Sequence, residues 1–141
     1  MTENLTRTGQ CLCGAVKYEV ELNSNHVHIC HCNICQRWGG GPALAVDHKA
    51  NWKAQGEENL TWYNSSEWAQ RGFCKTCGSH IAFKTNDGSY HGITAGSLDT
   101  QEGLEIDAHI FIDKKPSYFD FTDKSPRLTE EQFLKQFEDK D

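Results

Sequence analysis

Short apolar segments separated by polar turns run along most of this chain. Between Gly9 and Leu22, apolar side chains alternate with polar ones at Val16, Tyr18 and Val20, which predicts a half-buried strand. Clusters rich in Gly, Asn, Asp and Ser separate the later apolar runs, so the pattern predicts a mostly β fold. These later runs, each a predicted strand, are Ala43–Val46, Leu60–Tyr63, Ile81–Phe83, Tyr90–Ala95 and Ala108–Ile112.

The end of the sequence has a helical pattern instead. Thr129 and Gln132 have the spacing of a capping box, and Phe133, Leu134 and Phe137 then fall on one helix face. We therefore predict a short C-terminal helix. No internal repeat or linker interrupts the 141 residues, which predicts a single domain over residues 1–141.

Charge and composition narrow the classes of partner. The chain has 14 Lys and Arg against 20 Asp and Glu, a net charge of −6, which argues against nucleic acid because phosphate contacts need clustered cations. The first residues are polar, and no apolar stretch approaches the roughly 20 residues that span a bilayer. We therefore expect a cytoplasmic protein with no membrane partner.

Seven cysteines carry the candidate chemistry. In a reducing cytoplasm, such a count indicates metal ligation rather than disulfides, and an odd number cannot pair completely. A C-x-x-C turn can place two sulfurs about 2.3 Å from one tetrahedral zinc ion. Gly78 follows such a turn and can adopt the positive φ that it needs. The cysteines form a first pair (Cys11 and Cys13), a triplet (Cys30, Cys32 and Cys35) and a last pair (Cys74 and Cys77).

The cysteine count suggests two different sites, although spacing leaves the grouping open. Structural zinc takes four protein ligands, whereas catalytic zinc has three plus water or substrate, so seven cysteines divide as four plus three. One grouping is a zinc ribbon that joins Cys32 and Cys35 to the last pair. Another joins the first pair to the last pair and leaves the triplet as a local tripod. A single four-cysteine site with three bystanders is the third possibility.

The cysteine segments together resemble the glutathione-dependent formaldehyde-activating (GFA) family, which also includes centromere protein V. The resemblance covers nearly the whole chain and places all seven cysteines in register. The segments that carry it are Gly9–Tyr18, Cys30–Arg37, Phe73–Gly78, Gly96–Asp99, Ala108–Phe111 and Pro116–Phe119.

The resemblance implies a single-domain β-tent fold, in which antiparallel sheets pack around zinc. It implies two zinc ions per chain: a structural ion held by the first and last pairs, and a catalytic ion held by the triplet. It also implies a carbon–sulfur lyase that forms or cleaves S-hydroxymethylglutathione. The expected partners are a small-molecule thiol such as glutathione and an aldehyde.

The chemistry of a three-thiolate site agrees with that activity. A free thiol has a pKa near 8.5, and zinc coordination deprotonates it outright. Three thiolates leave the site anionic, which favours a thiol substrate over zinc-assisted hydrolysis. Two alternatives stay open: a non-catalytic, zinc-stabilised protein-binding module, and a redox or zinc-storage protein.

Four further residues are candidates for supporting roles. His31, between two candidate ligands, is a candidate substrate-binding residue, although a side chain next to a ligand in a strand points away from it. Arg37 could bind a substrate carboxylate in bidentate fashion or form a surface ion pair. His109 is predicted to be a structural histidine in an apolar strand, and Asp99 to stabilise a turn.

Overall fold

Residues 5–138 are described by a computed structural model, in which they form nine strands and two α-helices. The mostly β fold and the C-terminal helix are therefore confirmed. The strands are β1 (Thr6–Gln10), β2 (Lys17–Cys30), β3 (Ala43–His48), β4 (Lys53–Gln55), β5 (Leu60–Asn64), β6 (Ala69–Cys74), β7 (His80–Thr85), β8 (His91–Thr94) and β9 (Glu105–Ile110). The helices are α1 (Asn33–Gly39) and α2 (Glu130–Glu138).

The described chain divides into two compact units. The first comprises residues 5–25 and 45–104, and the second comprises residues 26–44 and 105–138. Both β2 and β3 contribute residues to each unit. The single-domain organisation stays a prediction.

Strands of the first unit pair in antiparallel fashion. β2 is flanked by β1 and β4, and the remaining strands follow the order β3, β8, β7, β6, β5. Residues 17–22 alternate between exposed and buried, as the sequence pattern predicts. Val16, Val20, Leu22, Ile81 and Ile93 are almost completely buried and form the core of this unit.

The second unit contains a parallel strand pair. β9 runs parallel to the end of β2, from His26 opposite Glu105 to Cys30 opposite Ile110, with an irregularity after Val27. The pairing extends to Cys30, so β2 ends at the first cysteine of the triplet.

Two strands, β4 and β6, were not predicted, and the single strand predicted between Gly9 and Leu22 is in fact two strands, β1 and β2. The alternation from Gly9 onwards covers two strands, because residues 11–16 form the turn that holds the first cysteine pair. β4 is only three residues long. The sequence of β6 has no apolar run, and Gly72 stands at its centre. A Cβ added to Gly72 would come within 3.2 Å of the Trp62 indole ring.

The two helices contrast in how well the sequence indicates them. The predicted capping box of α2 is present: the Thr129 amide donates to Gln132 Oε1 at 2.9 Å, and the Gln132 amide donates to Thr129 Oγ1 at 3.1 Å. By contrast, α1 was not predicted, since a cysteine, Cys32, occupies its N-cap position. Among residues 5–138, no helix is long and apolar enough to cross a membrane.

Candidate metal centres

The first and last cysteine pairs meet in the first unit and form what we call the four-cysteine cluster (Cys11, Cys13, Cys74 and Cys77). All four Sγ atoms lie within 4.8 Å of one another. The Sγ atoms of Cys11 and Cys13 are 3.7 Å apart, and those of Cys13 and Cys74 are 3.8 Å apart. A tetrahedron whose four sulfurs lie 2.3 Å from a central zinc has edges of about 3.8 Å. The four sulfurs therefore fit a tetrahedral zinc ion.

Two tight turns give the cluster its shape. The Gly14 amide donates to the Cys11 carbonyl at 3.1 Å, and the Gly78 amide donates to the Cys74 carbonyl at 2.8 Å. Both glycines have φ near +80°, at +82° and +80°, as the sequence predicted for Gly78. No atom lies within 4 Å of a Cβ built on Gly78, so its backbone conformation rather than space selects glycine there.

Ser79 connects the two halves of this cluster and was missed from the sequence. Its hydroxyl lies 3.1 Å from Cys77 Sγ and accepts a hydrogen bond from the Leu12 amide at 3.0 Å. The hydroxyl and amide of Ser79 lower the pKa of Cys77 to about 5. The only sequence signal was a serine directly after the turn glycine that follows the last pair.

The thiols of this cluster cannot all ionise without a cation. The Ala15 amide lowers the pKa of Cys13, but desolvation and the neighbouring thiols outweigh it and raise this pKa to about 11. The Val16 amide donates to Cys11 Sγ at 3.3 Å and stabilises one thiolate. Four thiolates at this spacing would need a cation to balance their charge, and four sulfurs in tetrahedral arrangement suit zinc or iron.

The triplet lies in the second unit, at the junction of β2 and α1. Cys30 ends β2, Cys32 caps α1, and Cys35 is buried within the first turns of that helix. Their three Sγ atoms also lie within 4.8 Å of one another. The contacts with Cys32 and Cys35 raise the pKa of Cys30, because adjacent thiolates repel each other. This cluster too could hold a metal ion.

Helix α1 forms because its ends are satisfied locally. The Cys35 amide donates to Cys32 Sγ at 3.3 Å, a capping role usually filled by Ser or Asp. At the other end, Gly40 adopts φ +84° and its amide donates to the Gln36 carbonyl at 2.8 Å. The glycine run after the triplet is therefore the C-terminal cap of a helix.

Gln36 fixes the triplet segment and was also missed. Its Nε2 donates to the His31 carbonyl and to the Lys114 carbonyl, each at 2.8 Å. One side chain thus joins the strand end, α1 and the segment that follows β9. Nothing in the sequence around Gln36 distinguishes it from a surface glutamine.

His31 is buried rather than exposed beside the triplet. Its ring is 1% exposed, its Nε2 lies 3.0 Å from His109 Nδ1, and burial lowers its pKa to about 4. His109 Nε2 lies 2.9 Å from Asp123 Oδ1, which satisfies both nitrogens of this histidine as predicted. Within residues 5–138, His31 Nδ1 has no hydrogen-bond partner.

His31 also lines a cavity of about 70 Å³ in the second unit. Arg37, the other candidate substrate-binding residue, is exposed in the last turn of α1 and is not among the described residues that line this cavity. Besides His31, the residues that line this cavity are Gln36, Gly40, Gly41, Pro42, Pro116, Tyr118 and Phe119.

Asp99 lies elsewhere, in the first unit. Its Oδ2 accepts a hydrogen bond from Thr8 Oγ1 at 2.6 Å and its amide donates to the Thr8 carbonyl, which agrees with the turn-stabilising role predicted for it.

The described sulfurs are grouped as the first pair with the last pair, and as the triplet alone. This is the grouping implied by the family resemblance, and the zinc-ribbon grouping is not formed among the described cysteines. Metal ligation by these residues stays a prediction, to which the geometry is well suited.

Comparisons with known proteins agree on the family. The sequence profile described as glutathione-dependent formaldehyde-activating enzyme matches residues 6–114. A Schizosaccharomyces pombe (strain 972) protein named as an uncharacterized lyase is 32% identical over 128 residues, which cover 90% of this chain and 93% of that protein. A crystal structure of a Rhodobacter sphaeroides protein has a TM-score of 0.55 at 31% identity, covering 70% of this chain and 90% of that one. The chain therefore belongs to the glutathione-dependent formaldehyde-activating family.

Proposed function

We propose that this protein is a zinc-dependent carbon–sulfur lyase that joins a glutathione-like thiol to an aldehyde, or cleaves their S-hydroxymethyl adduct. Membership of the family supports this proposal, as does the relative named as a lyase. The proposal includes two zinc ions per chain. One is held by the four-cysteine cluster and the other by the triplet.

The observation that carries the proposal is the difference in sulfur count between the two clusters. Four sulfurs converge in one cluster, whereas three converge in the other among the described residues. Zinc sites with four protein ligands are structural, and sites with three keep a position for water or substrate. We therefore assign structure to the four-cysteine cluster and chemistry to the triplet.

The residues around the triplet suit a thiol substrate. A metal ion bound there would keep a coordinated substrate thiol deprotonated at neutral pH. Cys30, Cys32 and Cys35 would hold that ion, and Gln36 donates to the His31 and Lys114 carbonyls and so fixes the segment that carries them. Arg37 is exposed one residue after Gln36, where its guanidinium can meet a substrate carboxylate. The cavity beside His31 offers space for a small aldehyde.

Metal content and thiol binding test the proposal directly. We expect two zinc ions per chain, and zinc-edge X-ray absorption should count seven sulfurs over the two ions. Adding glutathione should raise that count to eight. An unchanged count with glutathione present would support the non-catalytic binding module instead.

A variant pair tests the catalytic assignment of the triplet. Cys32→Ser should abolish formation of S-hydroxymethylglutathione from glutathione and formaldehyde while the protein stays folded. Ile34→Ser is the matched control, because Ile34 lies in the same turn and is 42% exposed. The catalytic assignment fails if Cys32→Ser unfolds the whole protein or retains full activity.

A further inference from the structure

A polar cavity of about 320 Å³ lies over strands β1, β2 and β4 in the first unit. Its volume is at the lower end of the range for small-molecule sites, roughly 300–1,000 Å³, so it suits a small ligand. Exposed side chains of the three strands, together with Asp99, form most of its lining. These side chains are Thr8, Gln10, Lys17, Glu19, Lys53 and Gln55.

Strand pairing places two amide side chains beside one lysine in this cavity. Gln10 and Gln55 lie opposite Lys17, on the two strands that flank β2. A Cβ built on Gly14 would have Gln10 Nε2 at 3.7 Å and Lys17 Cε at 3.9 Å, so both side chains extend towards the Gly14 turn. An ammonium group with an amide donor next to it suits a carboxylate ligand.

Two carboxylates lie in the next row of side chains across the sheet. Thr8 and Lys53 stand opposite Glu19. Asp99 lies beside β1, where Thr8 Oγ1 donates to its Oδ2 at 2.6 Å and fixes this carboxylate. Glu19 and Asp99 can therefore accept hydrogen bonds from one ammonium group. Because two lysines and two carboxylates line the cavity, its charge favours a ligand that carries both signs.

The charged groups of the strands are available to such a ligand. Within residues 5–138, Lys17, Glu19 and Lys53 form no ion pair, although Glu19 and Lys53 face each other across the pairing of β2 with β4. Exposed ion pairs add little stability, so the sheet does not depend on pairing these groups. Their side chains can turn towards a ligand instead.

We propose that this cavity binds a dipeptide by its two charged ends, with the carboxylate at Lys17 and Gln10 and the ammonium at Glu19 and Asp99. Residues two apart on a strand are separated by about 6.8 Å, since each residue rises about 3.4 Å. An extended dipeptide covers about the same distance, at about 3.3–3.6 Å per residue. A free amino acid carries both charges on one carbon atom and spans only about half of it.

Titration of the zinc-loaded protein with glycylglycine, followed by ¹H–¹⁵N NMR, tests the proposal. We expect saturable shifts of the backbone amides of β1, β2 and β4 around the cavity. Glycine, N-acetylglycylglycine and glycylglycine amide should each bind about fivefold more weakly, because each loses the contact at one end. Absence of saturable shifts at these strands, or equal affinity for glycine, would overturn the proposal. No lyase activity is needed, so the outcome is separate from that of the proposed function.

Two substitutions determine which end of the dipeptide lies at which row. Lys17→Met should weaken binding of glycylglycine about fivefold and leave glycylglycine amide unchanged, since that ligand lacks the carboxylate. Glu19→Gln should weaken glycylglycine to a similar extent and leave N-acetylglycylglycine unchanged, since that ligand lacks the ammonium.

Glu21→Gln is the matched control for both substitutions. Glu21 is the next exposed residue of β2 and is not among the described residues that line the cavity. We expect this variant to bind all four ligands as the unaltered protein does. The assignment fails if Lys17→Met and Glu19→Gln behave like this control, if they weaken every ligand equally, or if their preferences are exchanged.

Discussion

The four-cysteine cluster and the triplet differ most in the length of chain that they close. Cys13 and Cys74 are 61 residues apart in the sequence, whereas the triplet lies within six residues. Loop-closure entropy grows by about 0.6 kcal/mol for each doubling of loop length, so the longer closure constrains the unfolded chain by about 2 kcal/mol more. A metal ion bound by the four-cysteine cluster would therefore act as a long-range cross-link, and one bound by the triplet would not.

The same difference suggests which cluster is better suited to chemistry. A metal that joins distant segments contributes to the stability of the whole fold, and a metal within one short segment contributes little beyond that segment. Burial does not separate the two clusters. The four-cysteine cluster combines the buried Cys11 and Cys74 with the exposed Cys13 and the half-buried Cys77, and the triplet combines the half-buried Cys30 and Cys32 with the buried Cys35. The contrast between the clusters therefore lies in sequence separation and in the number of sulfurs.

Removing one buried cysteine from each cluster should give the largest contrast. Cys74→Ala breaks the long-range site, and the apparent zinc-binding energy of about 10–16 kcal/mol is comparable to the whole stability of an ordinary domain. We expect this variant to lose its folded state. Cys35→Ala should lower the free energy of unfolding by only about 1–3 kcal/mol. Circular dichroism and thermal unfolding measure both.

The pair is matched because Cys74 and Cys35 are both buried, at 0% and 5% exposure. The loss of apolar contact is therefore similar, and the contrast reports the metal sites. Equal destabilisation of both variants would mean that the triplet is structural as well.

Stepwise chelation should give the second contrast. An ion with three protein ligands is released more easily than one with four. We expect a chelator to remove one equivalent of zinc while the far-UV spectrum stays unchanged. Release of the second equivalent should coincide with unfolding. A metal-sensitive dye and circular dichroism, recorded together, follow both events, and simultaneous release would contradict the distinction.

The sequence predicts those parts of the molecule that depend on local pattern. The alternation at residues 17–22 gives β2, and Thr129 with Gln132 gives the start of α2. It also identifies the seven cysteines as candidate ligands, because C-x-C and C-x-x-C spacings are local patterns. Which pairs converge, however, depends on pairing between distant strands. The spacing left this grouping open, and only the family resemblance indicated it.

Residues that act through tertiary contacts were not predictable in this way. Helix α1 was missed because Cys32 caps it with a sulfur, where a sequence pattern looks for an oxygen. Ser79 and Gln36 gain their roles from Leu12, Cys77 and Lys114, which approach them only in the folded chain. A polar residue in a loop carries no local sign of such partners.

Ser79 and Gln36 provide the smallest and most specific contrast, since each supports one cluster. Ser79→Ala removes the hydroxyl shared by Leu12 and Cys77, and Gln36→Ala removes the two bonds to the His31 and Lys114 carbonyls. Each loss should lower the free energy of unfolding by about 1 kcal/mol, because each residue makes one partly buried and one exposed hydrogen bond. Global stability alone would therefore not distinguish the two variants.

Metal retention should distinguish them, because the effects are local. We expect Gln36→Ala to release the first equivalent of zinc at lower chelator concentration and to leave the second unchanged. Ser79→Ala should do the reverse, since its hydroxyl stabilises the Cys77 thiolate. Opposite effects of the two variants require two metal sites that are stabilised independently. The assignment of one site to structure and the other to catalysis depends on that independence. If either variant weakened both sites equally, the two clusters would behave as one cooperative centre, and the triplet could not exchange ligands without loosening the fold.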